Sequence, residues 1–202
     1  MPDESQGAVV ATMDGPAVSA TSLLDILEAC LHTRESEWLF LRELRVGTGH
    51  RNNFAQRLDG FALNCLPHLA MKRVCYEVKT SRADFLCELK QPLKRRVGMR
   101  YSNEFYFVTP VGLLMPHEIP VECGLIEGGP LPCDSSRTAA QKQAGCYYHD
   151  PERDSFCMIT VPAPWRDTPG PTWQFAAAML RNLRRQMGEK PPPVPKQQSF
   201  DL

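Results

Sequence analysis

The stretch from Tyr76 to Phe85, YEVKTSRADF, constrains this chain most. It belongs to KRVCYEVKT, in which Val74, Tyr76 and Val78 share one face and Cys75, Glu77 and Lys79 the other, the period of a strand. A helix pattern, SRADFLCELKQPLKRRVGMR, starts with no spacer. Ser81 is its N-cap, and Pro92 breaks or restarts it. A strand that hands over directly to a helix predicts an α/β fold, with helices laid on a sheet. The same stretch leaves a carboxylate and an ammonium side by side at the end of a mostly apolar strand.

The rest of the chain extends this pattern. Leu23, Leu24, Ile26, Leu27, Ala29, Cys30 and Leu31 have helical spacing, with Thr21 or Ser22 as the cap. WLFLRELRVG reads as a strand, with the end of a helix as the alternative, and QRLDGFALN as a strand beyond the GTGHRNN turn. NEFYFVTP reads as a buried strand, and a further strand lies near Cys123 to Glu127. TWQFAAAMLRNLRRQ is an amphipathic helix with a basic last turn; Trp173, Phe175, Ala176, Met179, Leu180 and Leu183 form its packing face. The predicted order is helix, three-strand meander, helix, two strands, around one mixed central sheet. The expected domain covers 20–187, with an irregular segment at 128–164. Small polar residues at 1–19 and a proline-rich stretch at 188–202 predict disordered tails.

Composition narrows the class. With 23 Lys and Arg against 23 Asp and Glu in 202 residues, a histone-like, charge-driven binder is excluded, whereas a local basic face is not. The sequence has no apolar run long enough to span a membrane and no basic, apolar leader, so a cytoplasmic protein is expected. Its eight cysteines include no CxxC pair, and several sit in apolar runs, which predicts free thiols. Cys133, Cys146, His149 and Cys157 form a weak candidate zinc set, because only CYYH gives a tight pair.

Asp59 and Glu77 lie on strands that converge if they are neighbours. Two carboxylates at one site repel unless a cation lies between them. Mg²⁺ suits such a pair, and the carbonyl of Val78 adds a third oxygen. Lys79 would orient or deprotonate a water, or stabilise a charged phosphorane. These parts suit metal-assisted phosphodiester hydrolysis; the plain alternative is a surface salt bridge.

The set Asp59…Glu77-Val78-Lys79 resembles the PD-(D/E)XK nuclease motif, with Leu58 where the motif's name has proline. The wider text RELRVGTG, QRLDGFAL, YEVKTSRADFLCELKQPLKR, NEFYFVTPVGLL and EIPVECGLIE resembles the MmcB-like family of DNA-repair endonucleases, phage and prophage members included. The likeness runs from Trp38 to Glu127 and, more weakly, through the C-terminal helix. It implies a restriction-endonuclease-like mixed sheet flanked by helices, dependence on Mg²⁺ or Mn²⁺, a DNA substrate, and repair or phage proteins as partners. It also implies a further acidic residue, Glu43, with Glu37 as the fallback.

Arg57, Arg82, Lys90, Lys94 and Arg95, with Arg51 in the GTGHR turn, are the expected DNA-binding residues. A solvated helix face is the plain alternative. Two competing functions stay open: a non-catalytic DNA-binding or partner-recruiting protein that kept the fold, and a nuclease acting on RNA.

Overall fold

The structure, a computed structural model, describes residues 18–46, 56–130 and 147–188. In chain order the elements are α1 (Ala20–Leu31), β1 (Trp38–Val46), β2 (Gln56–Asn64), β3 (Arg73–Val78), α2 (Arg82–Leu89), α3 (Arg96–Tyr101), β4 (Glu104–Pro110), β5 (Gly124–Pro130), β6 (Tyr147–Asp150), β7 (Ser155–Val161) and α4 (Trp173–Gln186). The strands form one seven-stranded sheet in the order β1-β2-β3-β4-β5-β7-β6. β1, β2 and β3 run antiparallel, β3, β4 and β5 are parallel, and β7 and β6 return antiparallel. The fold is therefore mixed α/β, with helices on both faces of the sheet.

Each face has its own core. On one, Leu23, Leu24, Ile26 and Leu27 of α1 pack against Phe40, Ala62, Val74, Tyr76, Val78 and Val108. Each leucine, isoleucine, valine or phenylalanine among them contributes roughly 1.5–3 kcal/mol on leaving water. Arg42 of β1 reaches across to Asp25 and Glu28 of α1 and fixes the helix on the sheet. On the other face, Phe85 of α2 meets Phe107 edge-on at 5.1 Å, and Phe175 of α4 stacks on Tyr101 at 4.0 Å. Gly98 lets α3 approach the sheet, since a Cβ there would lie 2.8 Å from Cys75 Sγ and 2.9 Å from Phe105.

Several expectations change. The cap of α1 is Ser19, whose side chain accepts from the Ser22 N–H, rather than Thr21 or Ser22. The segment taken as irregular contains a hairpin, β6–β7, that completes the sheet. Phe175, Ala178 and Asn182 form the buried stripe of α4, whereas Trp173 and Leu180 are exposed. A spacing of 3.6 residues selects a stripe, but only the partner surface chooses between two adjacent stripes. The expected tails lie largely outside the described residues. No helix among the described residues is long and apolar enough to cross a membrane.

Candidate active site

Strand register assembles the acidic residues. β2 pairs with β3 through Gly60↔Tyr76, the last regular pair at that end. One step further places Asp59 opposite Glu77. There the Asp59 carboxylate replaces the backbone ladder and accepts the Val78 N–H at 3.0 Å. On the other side of β2, Arg42↔Gly60 and Leu44↔Leu58 bracket Glu43 and Asp59. Glu43, Asp59 and Glu77 thus form one row across three adjacent strands.

The row coincides with a break in the strand pattern. Leu41 and Leu44 of β1 belong to the same core cluster, as do Leu58 and Phe61 of β2. Strict alternation would put the members of each pair on opposite faces. In β1 the inversion takes place at Glu43, which has φ +51°, a left-handed conformation that non-glycine residues seldom adopt. Such strain persists where the surroundings over-determine it, often at functional sites. The Glu43 carboxylate lies 3.5 Å from Arg57, whose guanidinium is also 3.9 Å from Asp59.

Lys79, expected on the strand, is the first residue past the end of β3 and still reaches the site. Only 6 % of its side chain is exposed, and its Nζ lies 2.9 Å from Glu77, 3.4 Å from Asp84 and 3.7 Å from Glu88. Asp84 and Glu88 are one turn apart on α2, so both face the same point. Glu88 is buried, although in sequence it is one of two acids in a stretch rich in Lys and Arg. The i, i+4 spacing of Asp84 and Glu88 was its one signal, without meaning until α2 was placed beside Lys79.

These groups line a cavity of about 570 Å³ together with Gln56, Arg57, Thr80 and Lys94. Five carboxylates face it (Glu43, Asp59, Glu77, Asp84, Glu88) against three cations (Arg57, Lys79, Lys94), a formal excess of two negative charges. Burial, and then the neighbouring Asp59, push Glu77 up to about 7. Burial also raises Asp59, against the lowering effect of the Val78 N–H and Lys79. Burial alone would lower Lys79, but Glu77, Asp84 and Glu88 reverse the direction and keep it charged. Carboxylates whose charged form is disfavoured by burial and mutual repulsion are relieved by a divalent cation. No group of three or more His, Cys, Asp or Glu poised around one point for a metal occurs among the described residues. The available donors are hard oxygens, two carboxylates and a backbone carbonyl. That set fits Mg²⁺ or Mn²⁺, which keep several waters.

The expected basic residues separate. Lys94 is exposed and lines the cavity, and Lys90 is exposed nearby on the same segment. Arg57 is at the site but engaged by Glu43 and Asp59. Arg82 makes a two-point pair with Glu118, one contact at 2.7 Å. Arg95 is turned inward: it is 6 % exposed, its Nη1 donates to the Glu88 carbonyl, and its guanidinium lies over the Phe107 ring. It is a core residue and does not belong to a DNA-facing surface. Arg51 lies outside the described residues, as do Cys133 and Cys146 of the zinc set. The other two members of that set do not meet, since Cys157 is buried against α1 and His149 is exposed. Glu37, the fallback acid, pairs with Arg34 before β1, away from the row.

No protein-family model matches this chain, and no curated protein is similar to it. Among solved structures, a protein of unknown function from Silicibacter pomeroyi is similar in fold, with a TM-score of 0.50 at 15% identity over 87% of this chain and 90% of that one.

Proposed function

We propose that this protein is a metal-dependent DNA endonuclease of the PD-(D/E)XK type, on a restriction-endonuclease-like fold, acting in DNA repair or phage-related DNA processing. The observation that carries the reading is the row Glu43–Asp59–Glu77 across three strands, with Lys79 beside it in one cavity. A structural salt bridge needs one acid and one base. Here three carboxylates lie within 4 Å of one buried lysine and two more share Arg57, and burying such an excess is costly unless the site serves a cation and an anionic substrate. The MmcB-like resemblance of the flanking text adds DNA as the substrate. The six described cysteines are free, which fits a reducing compartment such as the cytoplasm.

Asp59 and Glu77 would hold the cation, with the Val78 carbonyl as a third donor. The bound ion supplies Lewis-acid polarisation of the phosphoryl oxygen and a more acidic water. The Val78 N–H fixes one oxygen of Asp59, so this carboxylate is oriented before any ligand arrives. Lys79 is immobilised by Glu77, Asp84 and Glu88. It presents a fixed positive charge where the phosphorane becomes more negative, without reorganisation at the moment of reaction. Glu43 adds negative potential at the far end of the row. Lys94, exposed and lining the cavity, adds a cation for a phosphate backbone.

The test is cleavage of labelled single-stranded, duplex, flap and forked DNA with Mg²⁺ or Mn²⁺, with binding measured in parallel. Wild type is expected to cut at least one substrate. Glu77→Ala and Lys79→Ala are each expected to lose roughly 10²-fold or more in rate while still binding DNA. Binding without cleavage under either metal would sink the nuclease reading and leave a DNA-binding protein. Cleavage of RNA alone would change the substrate class.

A further inference from the structure

Asn182 of α4 is 5 % exposed, and its side-chain nitrogen donates to the carbonyl of Arg42 at 3.0 Å and to that of Glu43 at 3.4 Å. These two carbonyls flank the left-handed residue at which β1 swaps faces. The Asn182 carbonyl oxygen has no partner. A buried polar atom without a hydrogen bond is costly, so packing alone would favour leucine at this position. Its stabilising contribution therefore comes from the two hydrogen bonds to β1. The amide orientation follows from those partners, because the opposite orientation would place oxygen against oxygen. Around it, Phe175, Ala178 and Asn182 follow helical spacing, so Asn182 stands where an apolar side chain belongs.

We propose that Asn182 is a positioning residue: it holds Glu43 in its left-handed conformation and so brings the Glu43 carboxylate to the Arg57–Asp59 side of the cavity. The link spans 139 residues of sequence. It couples the C-terminal helix to the acidic row, and its functional consequence rests on the cation-binding reading above.

Two measurements test it. The first is Mn²⁺ affinity of the full chain, from the loss of the free-ion paramagnetic resonance signal, for wild type, Asn182→Leu, Glu43→Gln and the double variant. Asn182→Leu is expected to weaken Mn²⁺ binding roughly tenfold, as for a group that acts through another. Adding it to Glu43→Gln should cause no further loss. A residue that only packs α4 would leave Mn²⁺ affinity at the wild-type value or add independently to Glu43→Gln, and either result overturns the proposal.

The second measurement does not depend on metal: the urea midpoints of wild type, Asn182→Leu, Glu43→Gly and their double variant. Glycine takes φ +51° without strain. The midpoint lost on Asn182→Leu should therefore shrink when residue 43 is glycine, and strictly additive losses overturn the proposal. If wild type binds no Mn²⁺, the cation reading fails and the urea cycle alone decides the role of Asn182. If Asn182→Leu does not fold, Asn182→Ser, which keeps one donor, takes its place in both measurements.

Discussion

His32 is 6 % exposed, with its Nε2 2.9 Å from the Tyr76 hydroxyl and its Nδ1 without a partner. Burial first, and the charge of Lys72 second, lower it to about 3. A depressed folded value means that the unfolded chain binds the extra proton between about pH 6.5 and 3. This group's contribution is complete above 6.5 and is lost as pH falls, by up to about 1.4 kcal/mol per pH unit. Glu77 has the opposite sign. Its folded value is raised to about 7, so in metal-free protein its contribution is present below about 4.5 and is lost as pH rises towards 7. The two slopes oppose each other between about pH 4.5 and 6.5. In metal-free protein across that window, urea unfolding of His32→Gln should show stability falling with rising pH, and Glu77→Gln should show it rising. Parallel profiles for the two variants would contradict both assignments. Mn²⁺ affinity should also fall as pH drops below 7, because the proton on Glu77 competes with the ion. An affinity independent of pH between 6 and 8 would argue against Glu77 as a ligand.

At the scale of elements, strand and helix identity was readable, because side-chain period and caps are local properties. β2 covers QRLDGFALN, Ser81 caps α2 by accepting the Asp84 N–H, and Pro92 begins a separate 3-10 turn. The face swap at Glu43 was not readable. Nothing in RELRV marks a left-handed residue, and the swap depends on Asn182 in a helix far along the chain. The β6–β7 hairpin was missed because its strands flank a polar turn at 151–154, and one of them has only four residues. Close approach is also an element property. Gly98→Ala would force a methyl against Cys75 and Phe105, the second an aromatic ring fixed in the core. This overpacking should cost about 1–3 kcal/mol in a urea titration. A change under 0.5 kcal/mol would mean that α3 sits further from the sheet.

For the whole molecule, the zero net charge matters to how DNA would bind. There is no global attraction, so affinity would come from a local face. Its exposed members without an ion pair among the described residues are Lys94, which lines the cavity, and Lys90, four residues before it, now that Arg95 is in the core and Arg82 and Arg57 are paired. Lys90→Ala with Lys94→Ala should weaken DNA binding about equally across sequences. It should also reduce the slope of log affinity against log salt by roughly 1.5–2, about 0.9 per phosphate contact. Arg95→Ala should instead lower thermal stability. If Arg95→Ala changed the salt slope without unfolding, its inward placement would be wrong.

The sequence by itself determined the α/β class, the strands that carry Asp59 and Glu77, the Lys79 that directly follows the second of them, and the helix beyond. Each of these is written in side-chain period and capping chemistry within a dozen residues. Only the tertiary structure decided that Glu43 joins the row, that Glu88 faces Lys79, that Arg95 is buried, and that Asn182 braces β1. These outcomes depend on which strand lies next to which and in what register. Register is set by burial summed over the whole sheet, and no local window of sequence contains that sum.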